Sequence, residues 1–220
     1  MSVRRQAKVY VQGKAFNEIT RTTFLNEKKY EIVGNIDDSE IVVWTGGEDI
    51  NPALYEEKPI PGTYYNNARD KSDLLAVDVA VKQNKFLVGI CRGAQLLNVI
   101  PNGGKLWQDI DNHNYNNHKA YDCLTGSWIK VNSVHHQAMR VTDEAEIICW
   151  ALESTYKDCY EISWNKPTDV TTIPEKDKDI EACWYPKTRS LLFQGHPEFG
   201  DPPTTAYFFD LMDKYYWKAA

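Results

Sequence analysis

The part of the sequence that most constrains the fold is the segment 86–95, in which an apolar, strand-like run passes directly into a helix-compatible stretch. Cys91 stands at the change, with Gly89 and Gly93 two residues to either side. A sharp strand-to-helix turn exposes the residue at its apex, and glycine permits the close backbone approach that such a turn needs. Free N–H groups at a helix N-terminus favour the nucleophilic thiolate. The pattern indicates a nucleophile at Cys91, and a buried structural cysteine is the alternative.

Apolar strand-like runs alternate with helix-like segments along much of the chain. The strand-like runs are 8–11, 30–33, 41–44, 86–90, 127–132, 147–152, 160–164, 181–185 and 191–193; the helix-like segments are 16–26, 69–82, 92–100 and 205–216; 102–124 reads as irregular and 174–179 as a charged turn. This order predicts a single α/β domain over residues 1–220, with three layers. A mostly parallel central sheet carries helices on both faces, beside a smaller antiparallel β section.

Composition excludes several classes of protein. The net charge of −6 argues against nucleic acid or an anionic membrane as the main partner. No apolar run approaches the ~20 residues of a membrane span, and the N-terminus has no signal-peptide core. The five cysteines are odd in number and form no C-x-x-C pair, which favours reduced thiols and a cytoplasmic location.

A second chemical motif, Gln194-Gly195-His196-Pro197-Glu198, follows the apolar run 191–193. Proline biases the preceding residue towards an extended conformation, and residues two apart in an extended segment point to the same side. Glu198 is therefore placed to orient the His196 imidazole, which leaves its other nitrogen to serve as a base for a nucleophile. The alternative is an exposed histidine beside a solvated glutamate.

A third strand-like run, 41–44, ends in Thr45-Gly46-Gly47. Active sites of doubly wound sheets lie at the carboxyl ends of the strands, so this loop, Cys91 and His196 are expected to converge. Acyl chemistry needs backbone N–H donors for the oxyanion. The N–H of Arg92 and that of Gly46 or Gly47 are candidates, unless the two glycines merely form a turn.

Several motifs together resemble a known family. They are GICRGAQLLNV at 89–99, HPE at 196–198, GGEDINPALY at 46–55, VNSVHHQ at 131–137 and GGKLWQD at 103–109. In this combination and order the chain resembles the class I glutamine amidotransferases, and more narrowly their γ-glutamyl hydrolase branch, including γ-glutamyl-γ-aminobutyrate hydrolase-like proteins. The resemblance spans about residues 41–199 and implies a flavodoxin-like three-layer fold.

The resemblance implies an enzyme that cleaves a γ-glutamyl amide with Cys91 as nucleophile, His196 as base and acid, and Glu198 as orienter. The oxyanion hole is then Arg92 with Gly46 or Gly47. Gln95, Ser133 and His135 are the residues implied for holding the glutamyl end of the substrate. No cofactor and no metal are expected. One alternative is a glutaminase subunit; if ammonia is passed on, a separate synthetase is expected to receive it, because no synthetase domain follows Ala220. The other alternative is a non-catalytic binding protein.

Other polar residues are given plainer interpretations. His113 and His118 are conceivable as a metal pair, but without companions in a ligand pattern they are interpreted as loop residues. For His135 and His136, the alternative to a direct contact with the substrate is a pair of solvent-facing loop histidines. Asp73 and Asp109 are interpreted as helix-surface and turn groups. Gly195 departs from the family, which usually has a bulky aromatic residue there, so a pocket wall is expected to be missing.

Overall fold

The central sheet forms because its strands carry apolar side chains on both faces. The computed structural model describes residues 5–110, 113, 117–151, 155–157, 170–172 and 178–218. In the strand Ile41–Trp44, Ile41 and Val43 enter one core cluster while Val42 and Trp44 enter another. Since successive strand residues point to opposite faces, the sheet separates two hydrophobic cores.

Thirteen strands and four α-helices follow one another in the described residues. The strands are β1 (Ala7–Gln12), β2 (Tyr30–Ile32), β3 (Ile41–Trp44), β4 (Phe86–Ile90), β5 (Lys105–Trp107), β6 (His118–Asp122), β7 (Ser127–Val131), β8 (Ala138–Arg140), β9 (Glu146–Ala151), β10 (Thr155–Lys157), β11 (Val170–Thr172), β12 (Asp179–Tyr185) and β13 (Ser190–Phe193). The helices are α1 (Asn17–Asn26), α2 (Asn67–Lys82), α3 (Arg92–Val99) and α4 (Pro202–Met212). Short 3₁₀ helices span Pro52–Tyr55 and Pro197–Phe199, and a π-helical turn, Asp213–Trp217, continues α4.

The main sheet is mixed, with a parallel part and an antiparallel part. Its strand order is β2-β1-β3-β4-β13-β12-β9-β6-β7. In addition, β8 pairs with both β12 and β5. The pairings from β2 through β13 are parallel, and those beyond β13 are antiparallel. The neighbouring strands β3, β4 and β13 therefore end at the same edge. A separate antiparallel pair consists of β10 and β11.

Helices cover both faces of the parallel part. Phe24 of α1 and Phe208 of α4 pack in the core cluster on one face. Val77 of α2 and Leu97 of α3 pack in the cluster on the other face. This arrangement confirms the predicted α/β fold with three layers. Every helix in the described residues is too short or too polar to cross a membrane.

Two of the predicted segments differ in the structure, and two others lie wholly or mostly outside the described residues. The segment predicted to be irregular, 102–124, contributes β5 and β6 to the main sheet. The predicted strand at 160–164 lies outside the described residues, as does most of the predicted turn at 174–179. The predicted helix at 205–216 begins earlier, because Asp201 caps it and proline occupies its first turn.

The interface between α2 and α3 contains a buried ion-pair cluster. Arg92 donates from Nη2 to Asp70 and from Nη1 to Asp73, both at 2.6 Å. Arg92 and Asp73 are each 1% exposed. Asp73 is therefore not the helix-surface group that the sequence suggested. The helical spacing of Asp70 and Asp73 places both carboxylates on the α2 face that meets α3.

Loss of this guanidinium removes the ion-pair partner of Asp70 and leaves Asp73 with only the more distant Arg69, whose Nε lies 3.5 Å from Asp73 Oδ2. We expect Arg92→Met to lower the free energy of unfolding by about 3–5 kcal/mol. Lys82→Ala is the control, because Lys82 and Asp78 form an exposed pair whose loss costs about 1 kcal/mol or less. Urea unfolding followed by circular dichroism measures both, and equal losses would contradict the assigned importance of the buried cluster.

Candidate active site

Cys91 occupies a strained strand-to-helix turn. It lies between β4 and α3 with φ 50° and ψ −110°, in the positive-φ region that non-glycine residues seldom adopt. Its N–H donates to the Phe193 carbonyl at 2.8 Å, and its own carbonyl accepts from the Gln95 N–H at 3.1 Å. The residue is 5% exposed. These backbone bonds hold Cys91 at the apex of the turn, beside the end of β13.

Both neighbouring glycines are required by close contacts. A Cβ on Gly89 would lie 2.5 Å from the Ala94 backbone nitrogen, and a Cβ on Gly93 would collide with the Trp44 carbonyl. Space at these two positions thus lets α3 start against both β4 and the end of β3. The predicted close approach of backbone around Cys91 is confirmed.

His196 pairs with a carboxylate at the end of β13, beside the turn that carries Cys91. Cys91 is close enough to raise the pKa of the His196 imidazole. Its Nδ1 lies 2.8 Å from Glu198 Oε1, and both side chains are almost fully buried. Gln194 also approaches the sulfur, with Nε2 at 3.9 Å from Sγ. The structure therefore places a buried cysteine at the end of β4 and a buried imidazole–carboxylate pair at the end of the neighbouring strand β13.

The environment favours the protonated form of His196. Burial alone would lower the pKa of the imidazole, but the neighbouring Cys91 and Glu198 outweigh it and raise the pKa to about 10. A protonated imidazole beside a thiolate is the arrangement that cysteine nucleophiles use. A protonated His196 ring is suited to deliver a proton to a leaving group.

Asn132 fixes the backbone of His196. Its Oδ1 accepts from the His196 N–H at 2.7 Å, and its Nδ2 donates to the His196 carbonyl at 2.7 Å. Thr204 Oγ1 in turn accepts from the Asn132 N–H at 2.9 Å. Asparagine fits because one amide supplies both a donor and an acceptor. Sequence reasoning placed Asn132 inside a motif but gave it no role.

Two aromatic rings confine the His196 imidazole. Phe199 stacks on it with centroids 4.2 Å apart and ring planes at 5°, and Phe16 meets it edge-on at 5.7 Å. Both phenylalanines remain partly exposed, at 40% and 39%. A Cβ on Gly195 would point at Phe193 and Asn132, at 3.1–3.2 Å. The aromatic surroundings of His196 come from Phe16 and Phe199, which sequence reasoning missed.

Arg69 shapes the glycine loop after β3. Its Nη2 donates to the Gly46 carbonyl at 2.7 Å and to the Thr45 carbonyl at 3.2 Å, while Nη1 donates to Glu48 at 2.7 Å. A Cβ on Gly47, which has φ 140°, would collide with this guanidinium, and a Cβ on Gly46 would lie 2.7 Å from His196 Cε1. The loop therefore lies between Arg69 and the imidazole. The sequence does hold a signal for this role of Arg69: a positive charge in the first turn of α2 is disfavoured by the helix dipole and therefore needs another reason.

The remaining predicted site residues are also buried. Gln95 donates from Nε2 to the Gln137 carbonyl at 3.2 Å, and Ser133 Oγ donates to the His113 carbonyl at 2.5 Å. His135 Nδ1 lies 3.0 Å from the Gln137 carbonyl oxygen. Arg92, at the first position of α3, has a main-chain N–H at the helix start, while its side chain points to α2.

The histidines interpreted as loop residues belong instead to a buried cluster. His118 lies in β6, and the Nε2 atoms of His113, His118 and His135 approach Glu181 Oε1 at 3.2, 3.1 and 3.7 Å. Burial alone would raise the pKa of Glu181, but the surrounding imidazoles hold it well below its usual range. His136 lies outside this cluster, with Nε2 3.0 Å from Asp49 Oδ1, and this carboxylate is the main cause of its raised pKa.

Comparisons with known proteins identify relatives of the chain. The Peptidase C26 family model matches residues 22–127. A putative glutamine amidotransferase of Mycobacterium tuberculosis is 34% identical over 173 residues, which are 76% of this chain and 54% of that protein. The aligned regions cover 53% or less of the length of three further curated relatives. The chain thus spans about half or less of these relatives' length.

Solved structures share the fold. A glutamine amidotransferase from Thermotoga maritima has a TM-score of 0.61 at 13% identity, covering 98% of this chain and 86% of that one. A putative GMP synthase subunit from Thermoplasma acidophilum has a TM-score of 0.61 at 16% identity, covering 97% of both chains. At these identities the likeness concerns the fold alone.

The contact with Glu198 contributes to the raised pKa of His196, so we expect Glu198→Gln to lower that pKa. NMR titration of the ring measures the change, with the His196 signal assigned by its loss in His196→Ala. A raised pKa stabilises the fold below the ordinary pKa of 6.5, and this stabilisation is lost as pH rises through about 10. In Glu198→Gln this stabilisation of the fold should be lost at a lower pH than in the unsubstituted chain. Unchanged titration would contradict the assigned pairing, and Glu18→Gln, at an exposed position, is the control.

Proposed function

Since the chain belongs to the class I glutamine amidotransferase superfamily, we propose that it hydrolyses a γ-glutamyl amide through a thioester on Cys91. The substrate is glutamine or a γ-glutamyl-amine. The observation that carries the proposal is the His196–Glu198 pair at the end of β13, beside Cys91 at the end of the adjacent strand β4, where Cys91 helps to raise the pKa of His196. Sulfur, imidazole and carboxylate in this order match the nucleophile, base and orienter of covalent acyl transfer.

In the proposed first half of the reaction, the Cys91 thiolate attacks the γ-carbonyl carbon of the substrate. A C–S bond forms, and the C–N bond breaks when the tetrahedral intermediate collapses. The protonated His196 ring delivers its proton to the leaving nitrogen, which departs as ammonia or an amine. Glu198, 2.8 Å from Nδ1, keeps the other ring nitrogen directed at the reacting atoms.

In the second half, water hydrolyses the thioester. The now neutral His196 accepts a proton from the attacking water, a C–O bond forms, and the C–S bond breaks to regenerate the Cys91 thiolate. Glutamate leaves as the acid product, and the imidazole is again protonated. Stacking by Phe199 keeps the ring in the same plane for both proton transfers.

Backbone N–H groups are proposed to stabilise the oxyanion in both halves. The Arg92 N–H stands at the start of α3, next to the nucleophile. The Gly46 or Gly47 N–H is the second donor, on a loop that Arg69 holds against His196. Donors fixed in this way need no rearrangement when negative charge develops, which is the basis of oxyanion stabilisation.

The glutamyl end of the substrate carries both an amino and a carboxylate group and needs short polar anchors. We assign this role to Gln95, one helical turn beyond Cys91, and to the segment containing Ser133. The His135 ring faces Glu181, so its contribution is indirect, through the position of that segment. At Gly195 the absence of a side chain leaves the surroundings of the leaving group to Phe16 and Phe199.

A second candidate function is a glutaminase subunit that passes ammonia to a separate synthetase. It is favoured by the fold shared with the protein described as a putative GMP synthase subunit. The two candidates share Cys91 chemistry and differ in dependence on a partner. Turnover of γ-glutamyl-amines by the isolated chain supports the hydrolase. The second candidate is supported if a glutamine-like electrophile labels Cys91 in the isolated chain but turnover occurs only when a synthetase is added.

Replacement of the nucleophile tests the proposal directly. In a screen of glutamine and γ-glutamyl-amines, Cys91→Ala should reduce turnover by on the order of 10⁴-fold or more, because no thioester can form. Cys123→Ala, which removes an exposed thiol, should leave turnover unchanged. Release of glutamate by coupled assay is the measurement. If Cys91→Ala retains native turnover, the covalent mechanism is wrong.

The glycine loop offers a second test. A Cβ on Gly46 would lie 2.7 Å from His196 Cε1, so Gly46→Ala must displace the ring or the loop. We expect a decrease in kcat of roughly 10²-fold, the cost of a displacement near 1 Å. Gly34→Ala is the matched control, because a Cβ there meets nothing within 4 Å. Native turnover in Gly46→Ala would rule out the proposed position of the loop.

A further inference from the structure

The buried cluster around Glu181 is assembled from separate parts of the antiparallel region. His118 comes from β6, Glu181 from β12, and His113 and His135 from the segments that flank β6 and β7. Glu181 lies where the pairing of β12 with β9 shifts between Ile180 and Ala182. A β-bulge of this kind redirects a side chain. The bulge explains how one carboxylate meets imidazoles from three segments.

The donor atoms have the spacing of a metal coordination sphere. One ligand atom from each of His113, His118 and Glu181 lies within 4.8 Å of the others. The distances from Glu181 Oε1 to the three Nε2 atoms are 3.1–3.7 Å. Tetrahedral coordination with bonds of about 2.0–2.1 Å separates ligand atoms by roughly 3.4 Å. A cation between these atoms therefore needs only small adjustments of the side chains.

Hydrogen bonding alone does not satisfy the cluster. His135 Nδ1 faces the Gln137 carbonyl oxygen, which only accepts, so Nδ1 carries a proton. In the neutral ring, Nε2 then presents a lone pair to the acceptor Glu181 Oε1 at 3.7 Å. Within the described residues, His118 Nε2, His135 Nε2 and Glu181 Oε1 have no partner aligned as a hydrogen bond. Buried polar atoms seldom lack such partners.

We propose that His113, His118, His135 and Glu181 bind a first-row divalent cation, with Zn²⁺ as the best match. Three imidazole nitrogens and one carboxylate form a ligand set suited to zinc. The bond from His135 Nδ1 to a backbone carbonyl is the outer-shell contact typical of metal-bound histidine. Asp179 Oδ2, 3.0 Å from His113 Nε2, adds a second carboxylate. Binding displaces any proton held on the three Nε2 atoms.

The cation has a structural role in this proposal. The side chains of His113, His135 and Glu181 are 1–2% exposed, and that of His118 is 16% exposed, so the site is nearly closed. Closed zinc sites are structural, whereas catalytic ones keep an open position. His113 also accepts from Ser133 Oγ at its carbonyl oxygen. The ion would therefore fasten the segment that carries Asn132, the residue that holds His196.

Metal analysis of the chain tests the proposal, with protein made without a polyhistidine tag and carrying Cys91→Ala and Cys123→Ala to remove competing thiols. Zinc should remain after dialysis at a ratio close to one ion per chain. Glu181→Gln and His118→Asn should weaken zinc binding by at least about tenfold. His136→Asn is the matched control, since His136 lies next to His135 but contacts Asp49. Since Cys91 is absent, the outcome is independent of the proposed hydrolysis.

A second measurement covers variants that fail to fold. Removal of metal from the unsubstituted chain by a chelator should lower Tm, and Zn²⁺ should restore it in a concentration-dependent way. Loading with Co²⁺ should give the intense visible absorption of a tetrahedral site. The proposal is overturned if the chain retains no more zinc than Glu181→Gln, shows no shift in Tm and gives no Co²⁺ spectrum. The cluster would then be held together by protons shared between the imidazoles and Glu181.

Discussion

The strained turn at Cys91 is the constraint on which the rest of the structure depends. A positive φ at a non-glycine residue costs on the order of 1–3 kcal/mol and persists only when its surroundings determine it. Here β4 and β13 fix the chain before the turn, the close contact of Gly93 with the Trp44 carbonyl fixes it afterwards, and Arg92 ties the start of α3 to α2. The fold thereby holds the sulfur at the edge where three parallel strands end.

Features set by adjacent residues could be predicted from the sequence. The apolar runs that became β3, β4 and β13 needed only local patterning, and so did the turn at Cys91 between two glycines. The pairing of His196 with Glu198 followed from their separation by a proline. Each of these predictions rests on steric rules within a few residues, and the structure places each element close to its expected bounds.

Features set by distant residues could not be predicted in the same way. Asn132 meets His196 only because β7 and α4 bring its segment against the chain after β13. The histidines near Glu181 converge because β12 contains a bulge and β6 joins the sheet, and neither follows from hydrophobic periodicity. Within 102–124, β5 has only three residues and β6, with the sequence HKAYD, is mostly polar, so this segment carries a weak strand signal.

The register of β12 against β13 links the cluster around Glu181 to the residues around Cys91 and His196. The Gln194 N–H donates to the Glu181 carbonyl at 2.8 Å, and the Gln194 side chain approaches the Cys91 sulfur. The backbone that positions Glu181 among the imidazoles is thus bonded to the residue two before His196. A shift of β12 along β13 would move the Glu181 carboxylate and the approach to Cys91 together. The cluster around Glu181 is thus connected to the residues beside Cys91 by this backbone hydrogen bond, and to His196 by the bonds of Ser133 and Asn132.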